Sequence, residues 1–208
     1  MEDVLEVYTR PYDPRFPQVC CDEVSTQVLR ETRSPLPAQP GQSRRQDAEY
    51  VRGGVRNCFL ACEPLAGWRH VTVTERRTTV DFAQQIKDLV DVHYPAAERI
   101  VVVLDNLTTH TPASLYATFP PDEAKRLTDK LEIHYTPKQG SWLNMAEIEL
   151  SVLRRQCLDR RLPDGVDLAD EVAAWEAARN RADRRIDWRF TITDARIKLK
   201  RLYPSLQE

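Results

Sequence analysis

Three acidic residues stand where acids are costly. Asp22 follows the apolar start of Q-V-C-C-D-E-V (18–24), Asp105 closes R-I-V-V-V-L-D (99–105), and Glu147 lies in L-N-M-A-E-I-E (143–149). Charged side chains beside buried segments are rare unless they are paired or bind a metal. Three carboxylates brought together suit hard divalent cations, because Mg²⁺ takes a few carboxylates and keeps waters and phosphate oxygens as its other ligands. Two such ions about 4 Å apart can clamp the attacking and leaving oxygens of an in-line phosphoryl displacement. Each acid also has a plainer reading: Asp22 as a turn residue, Asp105 as a cap for the turn that begins with Asn106, and Glu147 as a first-turn acid favoured by the helix dipole. Taken singly, the plainer readings are as good. The set is what points to chemistry.

The elements that must position these acids follow from periodicity. Ile100 to Leu104 is an unbroken apolar run rich in β-branched residues, as a strand buried on both faces requires. Gln18–Val24, Asn57–Cys62, Trp68–Thr74 and Leu131–Tyr135 also read as strands, with the hairpin-length E-P-L-A-G between the second and third. Thr79 to Tyr94 has helical spacing, with Thr79 as N-cap and Pro95 as the stop. Pro112 and Pro121 each open a helix in its first turn. Leu143–Arg160, Leu168–Arg185 and Arg196–Leu202 complete the helices, while residues 32–46 are loop by composition. Strands followed by alternating helices and strands give an α/β fold. Its mixed sheet, three antiparallel strands then parallel ones flanked by helices, is compatible with a ribonuclease H-like architecture.

Spacing alone leaves the third acid open. At about 100° per residue, Leu143, Ala146, Leu150, Leu153 and Cys157 share one side of the helix. Glu147 falls among them, Glu149 lies just past the opposite edge, and Arg154 also lands on the apolar side.

Composition narrows the function classes. The 208 residues are 41% hydrophobic and 30% charged, with a net charge of −2. No apolar run approaches a membrane span, and the start lacks a signal peptide's pattern. Five scattered cysteines without a C-x-x-C pair suggest a reduced, cytoplasmic protein without structural metal. From Arg179 to Arg201, nine Lys/Arg stand against three Asp, which suits either a polyanion partner or a solvated helical face. Six glycines, none in a G-x-G-x-x-G turn, argue against a nucleotide-binding domain.

The strings V-C-C-D-E (19–23), V-V-V-L-D-N-L-T-T-H-T (101–111) and H-Y-T-P-K-Q-G-S-W-L-N-M-A-E-I-E (134–149) resemble the catalytic domain of bacterial insertion-sequence transposases of the Tc/mariner superfamily. These are DDE enzymes with a ribonuclease H-like core. The likeness extends over nearly the whole chain, including W-R-F-T-I-T-D-A-R-I-K-L-K-R-L-Y-P (188–204). It implies Asp22, Asp105 and Glu147 as catalytic residues and ligands of two Mg²⁺ or Mn²⁺ ions, and it chooses Glu147 over Glu149. It implies phosphodiester hydrolysis at transposon ends followed by attack of the freed 3′-hydroxyl on target DNA. Double-stranded DNA is the implied partner, with a homodimer assembled on it, in the cytoplasm at the nucleoid.

Met145 stands where the broader family often has proline, and the interval from Asp105 to Glu147 is longer than usual, with the extra length in the helix opened by Pro121. Family members carry N-terminal helix-turn-helix domains. Here residues 1–16 are expected to be a lead-in, 17–163 the catalytic domain and 164–208 a basic helical extension of it, a catalytic unit without its DNA reader. The competing class is a non-catalytic or co-opted remnant that binds DNA or another transposase chain through the basic tail.

Five further residues belong to the matching strings or flank the acids. His110 is expected to orient Asp105 or touch a phosphate, and Asn106 and Asn144 to support the acids by hydrogen bonds. Lys138 and Trp142 could contact phosphate and stack on an exposed base. For those two, a solvated lysine and a packed tryptophan are the simpler expectation.

Overall fold

The computed structural model describes residues 1–33, 36–43, 45, 48–138, 140–162 and 166–203. The expected domain boundary between residues 163 and 164 and the final Pro204 of the C-terminal string lie outside the described residues. Strand β4 (Ile100–Leu104) is the middle of the molecule in the physical sense, since all five of its residues are buried. Its alternation divides them between two cores. Val101 and Val103 face one hydrophobic cluster, and Ile100, Val102 and Leu104 the other.

Around β4 lie β1 (Gln18–Glu31), β2 (Tyr50–Glu63), β3 (Trp68–Thr74) and β5 (Leu131–Tyr135) in the order β3-β2-β1-β4-β5. The pairs β3/β2 and β2/β1 are antiparallel, and β1/β4 and β4/β5 are parallel. This is the mixed sheet the sequence led us to expect. Strands β1 and β2 are longer than their apolar cores, 14 residues each. Their outer halves pair through Ser25, Thr26 and Gln27, which carry no apolar signal. The β2–β3 turn closes on Gly67, whose φ of +65° is a left-handed conformation that glycine adopts at little cost.

Helices cover both faces. On one lie α2 (Thr79–Asp88), α3 (Pro112–Thr118) and α4 (Pro121–Asp129), burying Phe82, Ile86, Leu115 and Leu127. The N-cap of α2 is Thr78 rather than Thr79, because Thr78 and Asp81 form a reciprocal capping box. The expected continuation to Tyr94 is a π-helical turn, Leu89–His93. On the other face lie α1 (Glu2–Val7), α5 (Ala146–Leu153), α6 (Leu168–Arg181) and α7 (Ile192–Lys198).

Helix α1 revises the expectation of a lead-in over residues 1–16. Val4, Leu5 and Val7 are fully enclosed in the core, and the Tyr8 hydroxyl donates to the Leu143 carbonyl at 2.7 Å. The helix expected over Leu143–Arg160 starts later, at Ala146, after a 3₁₀ turn at Ser141–Leu143, and ends in a π-helical turn at Arg154–Leu158. Helix α7 begins earlier than expected, on a Thr191–Asp194 capping box.

Candidate active site

Sheet register brings the first two acids together. Cys20 pairs with Val103 at the end of the parallel β1/β4 ladder, and the same register continued two residues brings Asp22 of β1 level with Asp105. Adjacent strands are about 4.8 Å apart. Asp105 is the residue after the last of β4, where open α/β sheets place ligands. The third acid comes from α5: Asp22 and Glu147 line one open groove with Glu23, Val24, Leu150 and Arg154.

Electrostatics agree with this geometry. The Asp22 carboxyl is pushed up to about 7, chiefly by desolvation and further by the charges of Asp105, Glu23 and Glu147, while the Glu23 N–H, donating to Asp22 Oδ1 at 2.8 Å, works the other way. Mutual repulsion of this kind is what a bound cation relieves. Among the described residues no three His, Cys, Asp or Glu side chains converge on one point. Asp22 and Glu147 border the groove without closing it, and Asp105 stands outside its lining, beside Asp22.

The N-terminus of α5 is tied to β1 by Asn144. This residue is fully buried; its Nδ2 donates to the Cys21 carbonyl at 2.8 Å and its Oδ1 accepts from the Ala146 N–H at 3.1 Å. One side chain therefore links the residue before Asp22 to the helix that carries Glu147. His110 contacts Asp105 through Nδ1 and Oδ1. Asn106 and Lys138 are exposed in their loops, and no contact draws them to the acids. Trp142 is 42% exposed and packs in an aromatic group, stacked on Trp188 with centroids 6.5 Å apart and edge-on to Phe190 at 5.6 Å.

The two glutamates of α5 have separate fates, and the helical-wheel placement is reversed. Glu147 is half-buried in the groove, while Glu149 is 1% exposed. Glu149 accepts from Arg179 at 2.7 Å and lies 3.3 Å from Nε of the equally buried Arg69. The reason is tertiary: those arginines come from α6 and β3, and their charges compensate an acid that the apolar pattern would keep out.

The family model for DDE superfamily endonucleases matches residues 17–169. The chain belongs to this family. Solved structures with the same fold include the Mos1 mariner paired-end complex with Mn, at a TM-score of 0.55 and 17% identity, covering 86% of this chain and 55% of that one. The Mos1 strand transfer complex matches at a TM-score of 0.52 and 17% identity over 86% and 51% of the two chains. The Mos1 transposase paired-end complex with the left transposon end matches at 0.51 and 14%, over 90% and 62%. This chain thus spans about half to three-fifths of the length of those chains, and its sheet is of the ribonuclease H-like type they share. No curated protein matches the sequence.

Two features of the chain carry no signal that the sequence argument used. Glu23 is one: a buried side chain whose Oε2 lies 3.0 Å from His110 Nε2. Its signal was present in strand alternation, which turns Glu23 to the face opposite Asp22. The Arg69–Glu149–Arg179 cluster is the other, and no local pattern announces it. The basic stretch from Arg179 to Arg201 is largely answered by acids: Arg179 by Glu149, Arg185 by Asp183, Arg189 by Asp187, Arg196 by Glu2 and Lys198 by Asp194. Among the described residues, no helix is long and apolar enough to cross a membrane.

Proposed function

We propose that the chain is the catalytic domain of a DNA transposase of the Tc/mariner type, with residues 17–163 and the 164–208 extension acting as one unit. Asp22, Asp105 and Glu147 are its catalytic residues and would hold Mg²⁺ or Mn²⁺, two ions in the working complex. The observation that supports this reading is the β1/β4 register, which brings Asp22, inside β1, level with Asp105, just past the end of β4, while Asp22 and Glu147 share the groove. Held by these three carboxylates, such cations would neutralise charge at the scissile phosphate and activate a water at neutral pH.

The protein's own side chains orient that chemistry. Asn144 fixes the spacing of α5 from β1, and His110 restrains Asp105. Lys138 and Trp142 are exposed in the segment leading to α5, where a lysine could reach a phosphate and an indole an exposed base, although Trp142 also packs on Trp188 and Phe190; Asn106 borders the Asp105 loop. The reaction is hydrolysis of a phosphodiester at the transposon end, then attack of the freed 3′-hydroxyl on target DNA, without a covalent enzyme intermediate. The substrate is double-stranded DNA, bound by a homodimer, and the protein acts in the cytoplasm at the nucleoid. Helix-turn-helix recognition of the ends lies outside the catalytic domain.

The test is metal-dependent nicking of DNA carrying the element's own ends. Asp105→Asn and Glu147→Gln should each abolish Mg²⁺- or Mn²⁺-dependent nicking while circular dichroism stays native. Cleavage by either variant at the unaltered protein's rate would overturn the assignment. Binding of such DNA with no nicking by the unaltered chain would instead favour a non-catalytic role.

A further inference from the structure

Glu23 is an enclosed acid next to the groove, with only 2% of its side chain exposed. A buried carboxylate is expensive unless paired and hydrogen-bonded, and its principal partner is the His110 ring, at 3.0 Å through Nε2. The opposite ring nitrogen, Nδ1, bonds Oδ1 of Asp105. His110 is held from other directions too. The Phe82 ring lies over the imidazole, with centroids 4.6 Å apart; the Tyr135 hydroxyl donates to the His110 carbonyl at 2.8 Å. The Arg77 guanidinium approaches Glu23 Oε1 at 3.5 Å. Glu23, His110 and Asp105 thus form a continuous line from the buried side of β1 to the end of β4.

We propose that Glu23 is a positioning residue for Asp105: by anchoring Nε2 of His110 it fixes the imidazole plane, so that Nδ1 holds one oxygen of Asp105 and leaves the other for the site. The physical need is plain. The χ2 torsions of His and Asp are broad, and Asp105 follows the last residue of its strand, where the ladder no longer restrains it. Groups behind metal-binding side chains commonly fix their orientation in this way. This inference rests on the catalytic role of Asp105 proposed above.

Two substitutions separate the bond from the fold. Glu23→Leu removes the acceptor, whereas Glu23→Gln keeps a side-chain carbonyl that can accept from Nε2–H. In the full chain with ¹⁵N-labelled histidine, the unaltered protein should show exchange-protected protons at both ring nitrogens of His110. Glu23→Leu should lose both, including the Nδ1–H that faces Asp105, and Glu23→Gln should retain both. Metal-dependent nicking should follow, with kcat falling roughly 10–100-fold in Glu23→Leu, KM for DNA unchanged, and Glu23→Gln within a few-fold of the unaltered chain.

A Glu23→Leu protein that keeps the Nδ1–H signal, or nicks DNA normally, overturns the proposal; so does a Glu23→Gln protein as impaired as Glu23→Leu. If Glu23→Leu does not fold, Glu23→Asp, which withdraws the acceptor by one methylene, carries the same expectation and the same refutation. An unaltered chain that never nicks DNA would defeat the transposase reading, while the ring-proton comparison would still decide the role of Glu23.

Discussion

Glu147 and Glu149 are two residues apart, and their replacement should fail in opposite ways. Removing Glu149 as Glu149→Ala leaves the Arg69 guanidinium, 1% exposed, without its carboxylate and strips Arg179 of a 2.7 Å bond. Breaking a buried ion pair from one side costs about 3–5 kcal/mol. Arg69 keeps bonds to Asn180 Oδ1 at 3.3 Å and to the Arg184 carbonyl at 2.5 Å, so the lower half of that range is expected. For a chain of this size each kcal/mol lowers Tm by about 2–4 °C, a fall of roughly 6–16 °C. Glu147→Gln changes a half-buried groove residue outside that pair and should move Tm by no more than about 2 °C, within the usual surface range, while nicking disappears. Thermal melts by circular dichroism, together with nicking assays well below both midpoints, read the two effects separately. A Glu149→Ala protein that melts like the unaltered chain would refute the buried-pair reasoning. An exchange of roles, with Glu149→Gln inactive but stable and Glu147→Gln unstable but active, would refute the site.

Two other outcomes follow from described contacts. Because the Asp22 carboxyl is raised from 3.8 to about 7 in the fold, the folded state holds a proton that the unfolded chain has released, and metal-free stability should fall as pH rises from about 4 to about 7; melts of Asp22→Asn across that window should be flatter, and an equal slope would remove the cause. Asn144→Ala leaves the Cys21 carbonyl and the Ala146 N–H without their side-chain partners. It should cost about 1–3 kcal/mol and lower nicking even where melts show the chain folded; an unchanged rate would mean that α5 holds its place without that link.

What could be read in advance was what local pattern encodes. Strands β3, β4 and β5 match their expected bounds, because each is a continuous β-favouring run between breakers. The capping box at Thr78 was also written in the chain as T-x-x-D, one residue from the position first chosen. The outer halves of β1 and β2 were hidden because Ser25, Thr26 and Gln27 are held by pairing and not by burial. Helix α1 has six residues, too few for a periodic signal. The choice between Glu147 and Glu149 was out of reach of any window, since Arg69 and Arg179 sit far away in sequence and decide it through space. Family resemblance chose Glu147 where spacing could not.

The Asp22–Glu23 pair gives strand β1 an unusual sensitivity to length. One residue points into the groove and the next into the opposite core, so a single-residue insertion or deletion between Gln18 and Cys21 would trade their faces. A deletion would put the longer acid where the shorter one belongs, and an insertion would aim the shorter one at His110. Substitution at a neighbour such as Cys20 disturbs packing alone, whereas an indel rewrites the site. Beyond Gln27 the register already shifts between Gln27 and Leu29, and changes of length there would be absorbed before they reach the acids. The outer arm of the hairpin is therefore free to vary in length, and the four residues before Asp22 are not.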